Sequence, residues 1–405
     1  MLKTLSYPLP TRRFYATLPA MDRYDYVIAG GGMAGLSLAY AIAGSRLTDK
    51  TMLIVDPESK GENDRTWCYW TRGGHPIESV VSHVWGALRF ASHSWTRDFD
   101  LGDYCYAMVR GDDFYRETLD RLEQHPGVEF ERGRVTDVRD EDGYALVETE
   151  QRSVAAEWVF DSRFEPEEYE QRSGPHHYLK QHFVGWVIET PEPVFDPHIP
   201  TLFDFRTPGY DEMRFIYILP FSEHRALVEY TLFSAELLRD DEYIHAIETY
   251  LREIVGVTEY RVVDRERGVI PMTDEPIVRR EGRHRLAIGT RGGRVKASTG
   301  YAFRRTQLDS QAIVESLLRW NHPFDLPAPP RRARMLDTML LEVMHRRGEL
   351  SEQVFTALFR RNPIDRLLQF LDEETSLAQT LAVMATVPLP PFLAAFWRTQ
   401  IAKQV

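Results

Sequence analysis

Only two of the 405 residues are cysteine, Cys68 and Cys105. Two thiols cannot build a disulfide framework, so a reducing, cytoplasmic compartment is the expectation. Basic side chains are outnumbered, 49 Lys and Arg against 61 Asp and Glu, giving a formal net charge of −12. That balance argues against a nucleic-acid partner, which calls for a basic face. No uninterrupted apolar run reaches the roughly 18 residues of a membrane span. The sequence has no internal repeat and no low-complexity tract. The pair His176-His177 has no ligand spacing to other His or Cys, so no metal is expected. What remains is an ordinary globular composition, 43% hydrophobic and 27% charged. Disorder and collagen-like architectures are excluded. The length suits two or three domains of about 150 residues each.

Residues 1–20 differ from the rest, with Lys3, Arg12, Arg13, three prolines and no acidic side chain. They are expected to be a disordered extension outside the fold; a targeting segment, or a start at Met21, is the other reading. Tyr24 to Ala29 (YDYVIA) and Thr51 to Asp56 (TMLIVD) are apolar runs suited to buried parallel strands. A helix-like segment, Leu36 to Ala43, lies between them and completes a βαβ unit. From Gln181 to Thr231 strand-like runs dominate, with Pro220 to Arg225 as a hairpin turn. Leu286 to Gly289 reads as a strand returning to the first domain, and Ala333 to Val405 as helices. The expected fold is α/β. A Rossmann-type FAD-binding domain (21–170 and 265–325) carries an inserted antiparallel β-sheet substrate domain (171–264). A helical C-terminal part (326–405) follows.

Gly30-Gly31-Gly32-Met33-Ala34-Gly35 is a G-x-G-x-x-G match between the first strand and the helix. Asp56 ends the next strand, some 20 residues on, where a dinucleotide site places an acid for ribose hydroxyls. Gly30 permits the tight turn, Gly32 lets a pyrophosphate approach the backbone, and Gly35 lets helix and strand pack. Met33 and Ala34 open the helix, whose free N–H groups suit an anion. The inserted sheet and the late return strand favour FAD over NAD. Gly292 and Gly293, in the late Gly-rich segment, are then expected near the flavin, although Thr290 stands where flavin hydroxylases carry Asp. Arg110, after a strand-like run, fits a phosphate-binding arginine equally as well as a solvated one.

Several segments coincide with one family. Asp64-Arg65-Thr66-Trp67-Cys68-Tyr69-Trp70 resembles the Asn/Asp-x-Thr-Trp-x-aromatic-Trp signature of lycopene cyclases. Gln181 to Trp186 is similar to their next motif, and Phe203-Asp204-Phe205-Arg206 to their "MDFR", with Leu202 where Met is usual. Phe215 to Glu229 resembles their hairpin ending in a catalytic Glu. Ile270-Pro271-Met272 and Lys296 to Tyr301 match two later motifs, with Ala297 where Pro is common. The resemblance runs from about residue 24 to 397 and is nearest to the bacterial lycopene β-cyclase type.

The resemblance implies an FAD-dependent, non-redox isomerase acting on lycopene and γ-carotene. It would turn linear ψ-ends into β-ionone rings, giving γ-carotene and then β-carotene. The reduced flavin would be the active form, and NAD(P)H would serve only as reductant. Arg65 joins the expected cofactor-binding residues, and Glu229 is the expected catalytic residue. Whether Glu229 or the reduced flavin gives the first proton stays open. Strand alternation puts Leu227, Glu229 and Thr231 on one face without settling whether that face is wet.

Phe370 to Thr375 (FLDEET) looks like the catalytic string of plant cyclases but lies in the helical C-terminal part. Asp372, Glu373 and Glu374 are therefore read as a solvated helix face. The substrate implies peripheral contact with a membrane surface. Thr375 to Trp397 carries no charge, is broken by Pro388, Pro390 and Pro391, and offers Phe392, Leu393, Phe396 and Trp397 for docking. Two other readings remain at this point. One is a flavin monooxygenase or reductase acting on an isoprenoid. The other is a non-catalytic flavin- or carotenoid-binding protein.

Overall fold

The computed structural model describes residues 21–402 apart from 62, 75, 76, 171–173 and 209. The expectation for residues 1–20 lies outside the described residues. One sheet is built on Arg23–Ala29, flanked in parallel by Met52–Asp56 and Ser153–Asp161. Its outer strands are Val128–Arg132 beyond Met52–Asp56, and Ala145–Thr149 and Val135–Asp140 on the other side. The apolar runs of the first two strands are continuous because both of their faces are covered. Val27, Ile28, Leu53 and Ile54 are all buried. The return strand is Arg285–Ala287. It pairs in parallel with the second half of Ser153–Asp161, whose first half pairs with Ala145–Thr149. Helices Met33–Ala43 and Phe303–Trp320 pack together on this sheet, joined by a Gln307 Nε2 to Ser37 Oγ hydrogen bond of 2.6 Å.

The second sheet has seven strands, in the order Arg261–Thr273, Tyr178–Glu189, Arg225–Ser234, Met213–Ser222, Thr201–Asp204, Ala87–Ala91 and Thr96–Asp100. It is antiparallel except where Thr201–Asp204 meets Ala87–Ala91. Two of its parts escape a linear reading. The first edge strand crosses residue 264, and the far edge comes from residues 87–100, well ahead of the other strands. A third, small sheet joins Thr66–Thr71, Cys105–Arg110 and Val81–Trp85.

Arg225–Ser234 lies inside the second sheet, and every residue from Ala226 to Ser234 is buried. Ala226, Val228, Tyr230 and Leu232 face helix Asp240–Tyr250, packing on Tyr243 and Ile247. Leu227 and Phe233 face the other way, toward the C-terminal helices and the first domain. Those helices are Arg331–Arg347, Ser351–Arg361, Ile364–Leu371, Leu377–Met384 and Leu389–Ala402. Phe359 stacks on Phe90 at 4.6 Å and anchors them to the far edge of the sheet. No single described helix is long and apolar enough to cross a membrane; Leu377–Met384 and Leu389–Thr399 form a pair bent by 119°.

Candidate active site

The G-x-G-x-x-G turn follows from two close approaches. Gly30 has φ +102°, and a Cβ there would lie 2.3 Å from Ser162 Oγ. A Cβ on Gly35 would lie 2.0 Å from the Gly30 carbonyl oxygen. The Gly31 N–H donates to Asp56 Oδ2 at 2.6 Å, so the acid of the second strand also shapes the turn. Gly32 differs: a Cβ there meets nothing within 4 Å. It caps Met33–Ala43 without a side-chain cap, and no acid occupies the first turn. The helix N–H groups therefore point into space suited to an anion.

That space is one end of a cleft containing about 1950 Å³ not filled by protein atoms, part of it open to solvent. Gly32, Met33, Ala34 and Arg65 line this end. Gly289 and Thr290 line it too, Gly289 at φ +59° with room for no Cβ beside Ala34. Gly292 and Gly293 lie just behind, lining a neighbouring cavity, where a Cβ on Gly292 would strike the Ala287 carbonyl. They shape the turn, while Gly289 makes the approach.

Arg110 is not brought to this end. Asp112, at the start of the next helix, holds its guanidinium in two hydrogen bonds of 3.1 Å. It lines a small cavity shared with Asp264 and Glu266.

The other end of the cleft is aromatic and carries two carboxyl groups. Tyr106, Phe183, Tyr217, Leu227 and Tyr301 line it with Glu229 and Glu266. Glu229 is 8% exposed, so its strand face is dry. Thr231 Oγ1 donates to Glu229 Oε1 at 2.6 Å, and Thr66 Oγ1 to Glu266 Oε2 at 2.6 Å. The carboxyls also hydrogen-bond to each other. Burial first, and then the charge of Glu266, pushes the Glu229 carboxyl well above the usual carboxylate range. Burial raises Glu266 as well, opposed by its hydrogen bonds to Glu229 and Thr66.

Glu266 is absent from the sequence reading. It sits in Arg265-Glu266-Arg267, which looks like a solvated edge. The available signal was glycine. Gly185 pairs with Glu229 on one side and Glu266 on the other, and Gly268 has Phe183 lying over it.

The expectation of a solvated face at Asp372 to Glu374 is overturned for two of the three. Helix Ile364–Leu371 ends before them, and Glu373 has φ +66°. Glu373 Oε1 accepts from Lys296 Nζ at 2.8 Å and Arg305 Nη1 at 2.9 Å. Burial raises the Asp372 carboxyl to about 6. Only Glu374 is exposed, paired with Arg304 at 3.2 Å. None of the three lines the cleft; Glu373 ties the C-terminal helices to Lys296, and Asp372 and Glu374 tie them to Arg304 at the start of helix Phe303–Trp320. Asp204 is also a structural lock, fully buried and accepting from Arg206 Nη2 and Tyr250 Oη, each at 2.6 Å. His177 is occupied by Glu342 at 2.8 Å and Asp274 at 3.3 Å. Among the described residues no group of three or more His, Cys, Asp or Glu is placed to hold a metal ion.

The family model described as "Lycopene cyclase protein" matches residues 25–396. The chain belongs to the lycopene cyclase family. It is similar to the chloroplastic lycopene beta cyclase of Arabidopsis thaliana, 24% identical over 313 residues, covering 73% of this chain and 60% of that protein. The chain thus spans less than two thirds of the plant protein's length. A lycopene beta-cyclase of Pseudescherichia vulneris is 23% identical over 310 residues, 72% of this chain and 74% of its own. Among solved structures, a flavoprotein/dehydrogenase from Cytophaga hutchinsonii aligns with TM-score 0.58 at 13% identity, over 89% of this chain and 98% of that one. That likeness establishes the two-domain flavoprotein fold.

Proposed function

We propose that this family member is an FAD-dependent lycopene β-cyclase. It would convert ψ-ends of lycopene into β-ionone rings by a non-redox, proton-initiated cyclisation, through γ-carotene to β-carotene. The observation that carries the reading is a buried carboxyl, Glu229, among aromatic side chains in a cleft that also reaches a dinucleotide turn.

The residues fit FAD. Gly32 leaves open the space a pyrophosphate needs, Gly289 lets the late segment close on Ala34, and Asp56, which accepts from the Gly31 N–H, would hold the ribose hydroxyls. Reduced FAD, when bound, would supply negative charge beside a cationic ring centre. NAD(P)H enters only as its reductant.

The chain's own residues supply the rest. An isolated alkene must accept a proton, and Glu229 is the carboxyl whose hold on a proton is strengthened by burial and by the neighbouring Glu266. The resulting tertiary cation is attacked by the neighbouring double bond, and a ring proton is then lost. Tyr217, Tyr301 and Phe183 offer π faces to the cation and keep water away. Burial pushes the Tyr217 and Tyr301 hydroxyls up, so neither ionises to compete as a base.

A substrate this apolar calls for peripheral contact with a membrane, and the two cysteines suit the cytoplasmic side. Leu377, Leu381, Leu389, Leu393 and Trp397 are exposed on the last two helices and support this. Phe392, expected among the docking residues, is buried instead.

The test is anaerobic incubation of the protein with FAD, a chemical reductant and lycopene in liposomes, followed by chromatography. Rings should form without NAD(P)H, many per reduced flavin. One NAD(P)H oxidised per product molecule would instead indicate a reductase or monooxygenase.

A further inference from the structure

Glu229 and Glu266 lie two strands apart, on Arg225–Ser234 and Arg261–Thr273, with Tyr178–Glu189 between them. Side chains so placed are normally separated by the side chain of the middle strand, since neighbouring strands stand about 4.8 Å apart. Here the middle residue is Gly185, the register partner of both. A Cβ on Gly185 would come 3.0 Å from Glu266 Cγ, 3.0 Å from Leu227 Cδ1 and 3.3 Å from Glu266 Oε1. The missing side chain is the gap through which the two carboxyls meet. Thr66 and Thr231 each donate to one oxygen of one carboxyl, Glu266 Oε2 and Glu229 Oε1, and so fix both side chains.

We propose that Glu266 is a positioning residue for the cyclisation: it shares one proton with Glu229 across Gly185 and takes part in both its delivery and its recovery. This rests on the cyclase reading above. The balance is closed. The Glu229 O–H bond breaks as a C–H bond forms at the terminal alkene. The π electrons of the neighbouring alkene form the ring C–C bond. A ring C–H then gives its proton to the doubly ionised pair and leaves its electrons as the ring C=C. No electron is gained or lost, and no co-reactant is needed. Between the two transfers the dianionic pair faces the cation. Two like charges in contact are each the stronger base for the other's presence, which drives the proton's return.

The surroundings leave this pair to set its own titration. Facing it are Cys68 from strand Thr66–Thr71, Tyr106 from Cys105–Arg110, Tyr217 from Met213–Ser222, and Tyr301. Burial pushes all four hydroxyl and thiol groups up, so they stay neutral. The charges felt by Glu266 are those of Asp264, which raises it, and Arg110, which lowers it. Arg110 thus acts behind the pair rather than on a phosphate.

The experiment uses the full FAD-loaded chain and two variants, Glu266→Gln and Gly185→Ala. The second changes no titratable group. Flavin content and thermal unfolding are measured first. Two readouts follow against pH: the protonated-carboxyl infrared band, which needs no turnover, and kcat for ring formation. Removing the Glu266 charge, or prising the carboxyls apart, should lower the pH at which Glu229 loses its proton. The band and the alkaline limb of kcat should move down together by one pH unit or more, a tenfold change in proton affinity. Should Glu266→Gln fail to fold, Gly185→Ala carries the test with both carboxyls present. Folded variants that form rings with band and limb unmoved overturn the proposal and leave the cyclase reading standing. A band that shifts as described in a parent protein that makes no ring from lycopene supports the shared proton and overturns the cyclase reading.

Discussion

At the scale of single residues, the proposed chemistry turns on one carboxyl, Glu229, whose surroundings favour its protonated form. Glu229→Gln keeps its shape and hydrogen-bonding end but cannot give an acidic proton. Ring formation should fall by roughly 100-fold or more, the lower range of general acid–base catalysis. Flavin content should be unchanged, since Glu229 lies at the opposite end of the cleft from Gly32. The same carboxyl has a thermodynamic signature. Its folded-state pKa is raised, so the folded protein binds the proton more tightly than the unfolded chain. The stability it contributes is complete below the unfolded value and is lost as pH rises through the folded one. The slope is at most about 1.4 kcal/mol per pH unit. Denaturant titrations between about pH 5 and 8 should therefore show a steeper decline for the parent than for Glu229→Gln. Equal slopes would mean that Glu229 is ionised in the folded protein. Glu229 was legible through the hairpin motif around it. Glu266 was not, because partnership across a third strand is set by sheet order, and its flanking arginines imitate a wet edge.

At the scale of elements, the two glycines of the phosphate turn have separable jobs. Gly35→Val places a Cβ 2.0 Å from a backbone oxygen, so it should destabilise the apoprotein itself. Gly32→Val meets no protein atom with its Cβ, so the apoprotein should melt within a few degrees of the parent. Flavin retention on a desalting column should nevertheless be lost. A Gly32→Val protein that keeps its flavin would remove the cofactor assignment. This turn was readable because strand, turn and helix are contiguous in sequence, and the structure needs no long-range contact to form it. The string Phe370 to Thr375 was not readable in the same way. Its helical surroundings suggested a solvated face, but the chain leaves the helix at Leu371 and turns Glu373 onto Lys296, 77 residues away. Removing Glu373 strands a buried lysine beside Asp337 alone, at a cost of about 3 kcal/mol, the scale of a broken buried pair. Glu373→Ala should therefore melt well below the parent while Glu374→Gln does not, since Glu374 is exposed.

At the scale of the whole molecule, the proposed function requires a route by which the cleft could receive a polyene from a bilayer. The last two long helices have two different faces. Inward, Thr380, Met384, Val387 and Phe392 line an apolar pocket containing about 720 Å³ not filled by protein atoms, part of it open to solvent, whose wall residue Thr299 also lines the cleft. Outward, Leu377 and Leu381 stand one turn apart on one helix, and Leu389, Leu393 and Trp397 follow the same spacing on the next. Each is between 48% and 64% exposed. Such a row suits the lipid interface that the proposed function calls for. Charge cannot be the attraction, because the chain carries a net −12 and anionic lipid would repel it. Vesicle binding should therefore be at least as strong on neutral as on anionic lipid, and added salt should not weaken it. Burying a leucine is worth about 1.5 kcal/mol or more, so Leu381→Glu with Leu393→Glu should weaken vesicle binding by roughly 100-fold. Activity on liposomal lycopene should fall in step, while activity on lycopene dispersed in detergent should stay within a few-fold. Binding that survives the double substitution, or collapses in salt, would place the membrane contact on another face. The bent helices would then be only the cover of the apolar cavity.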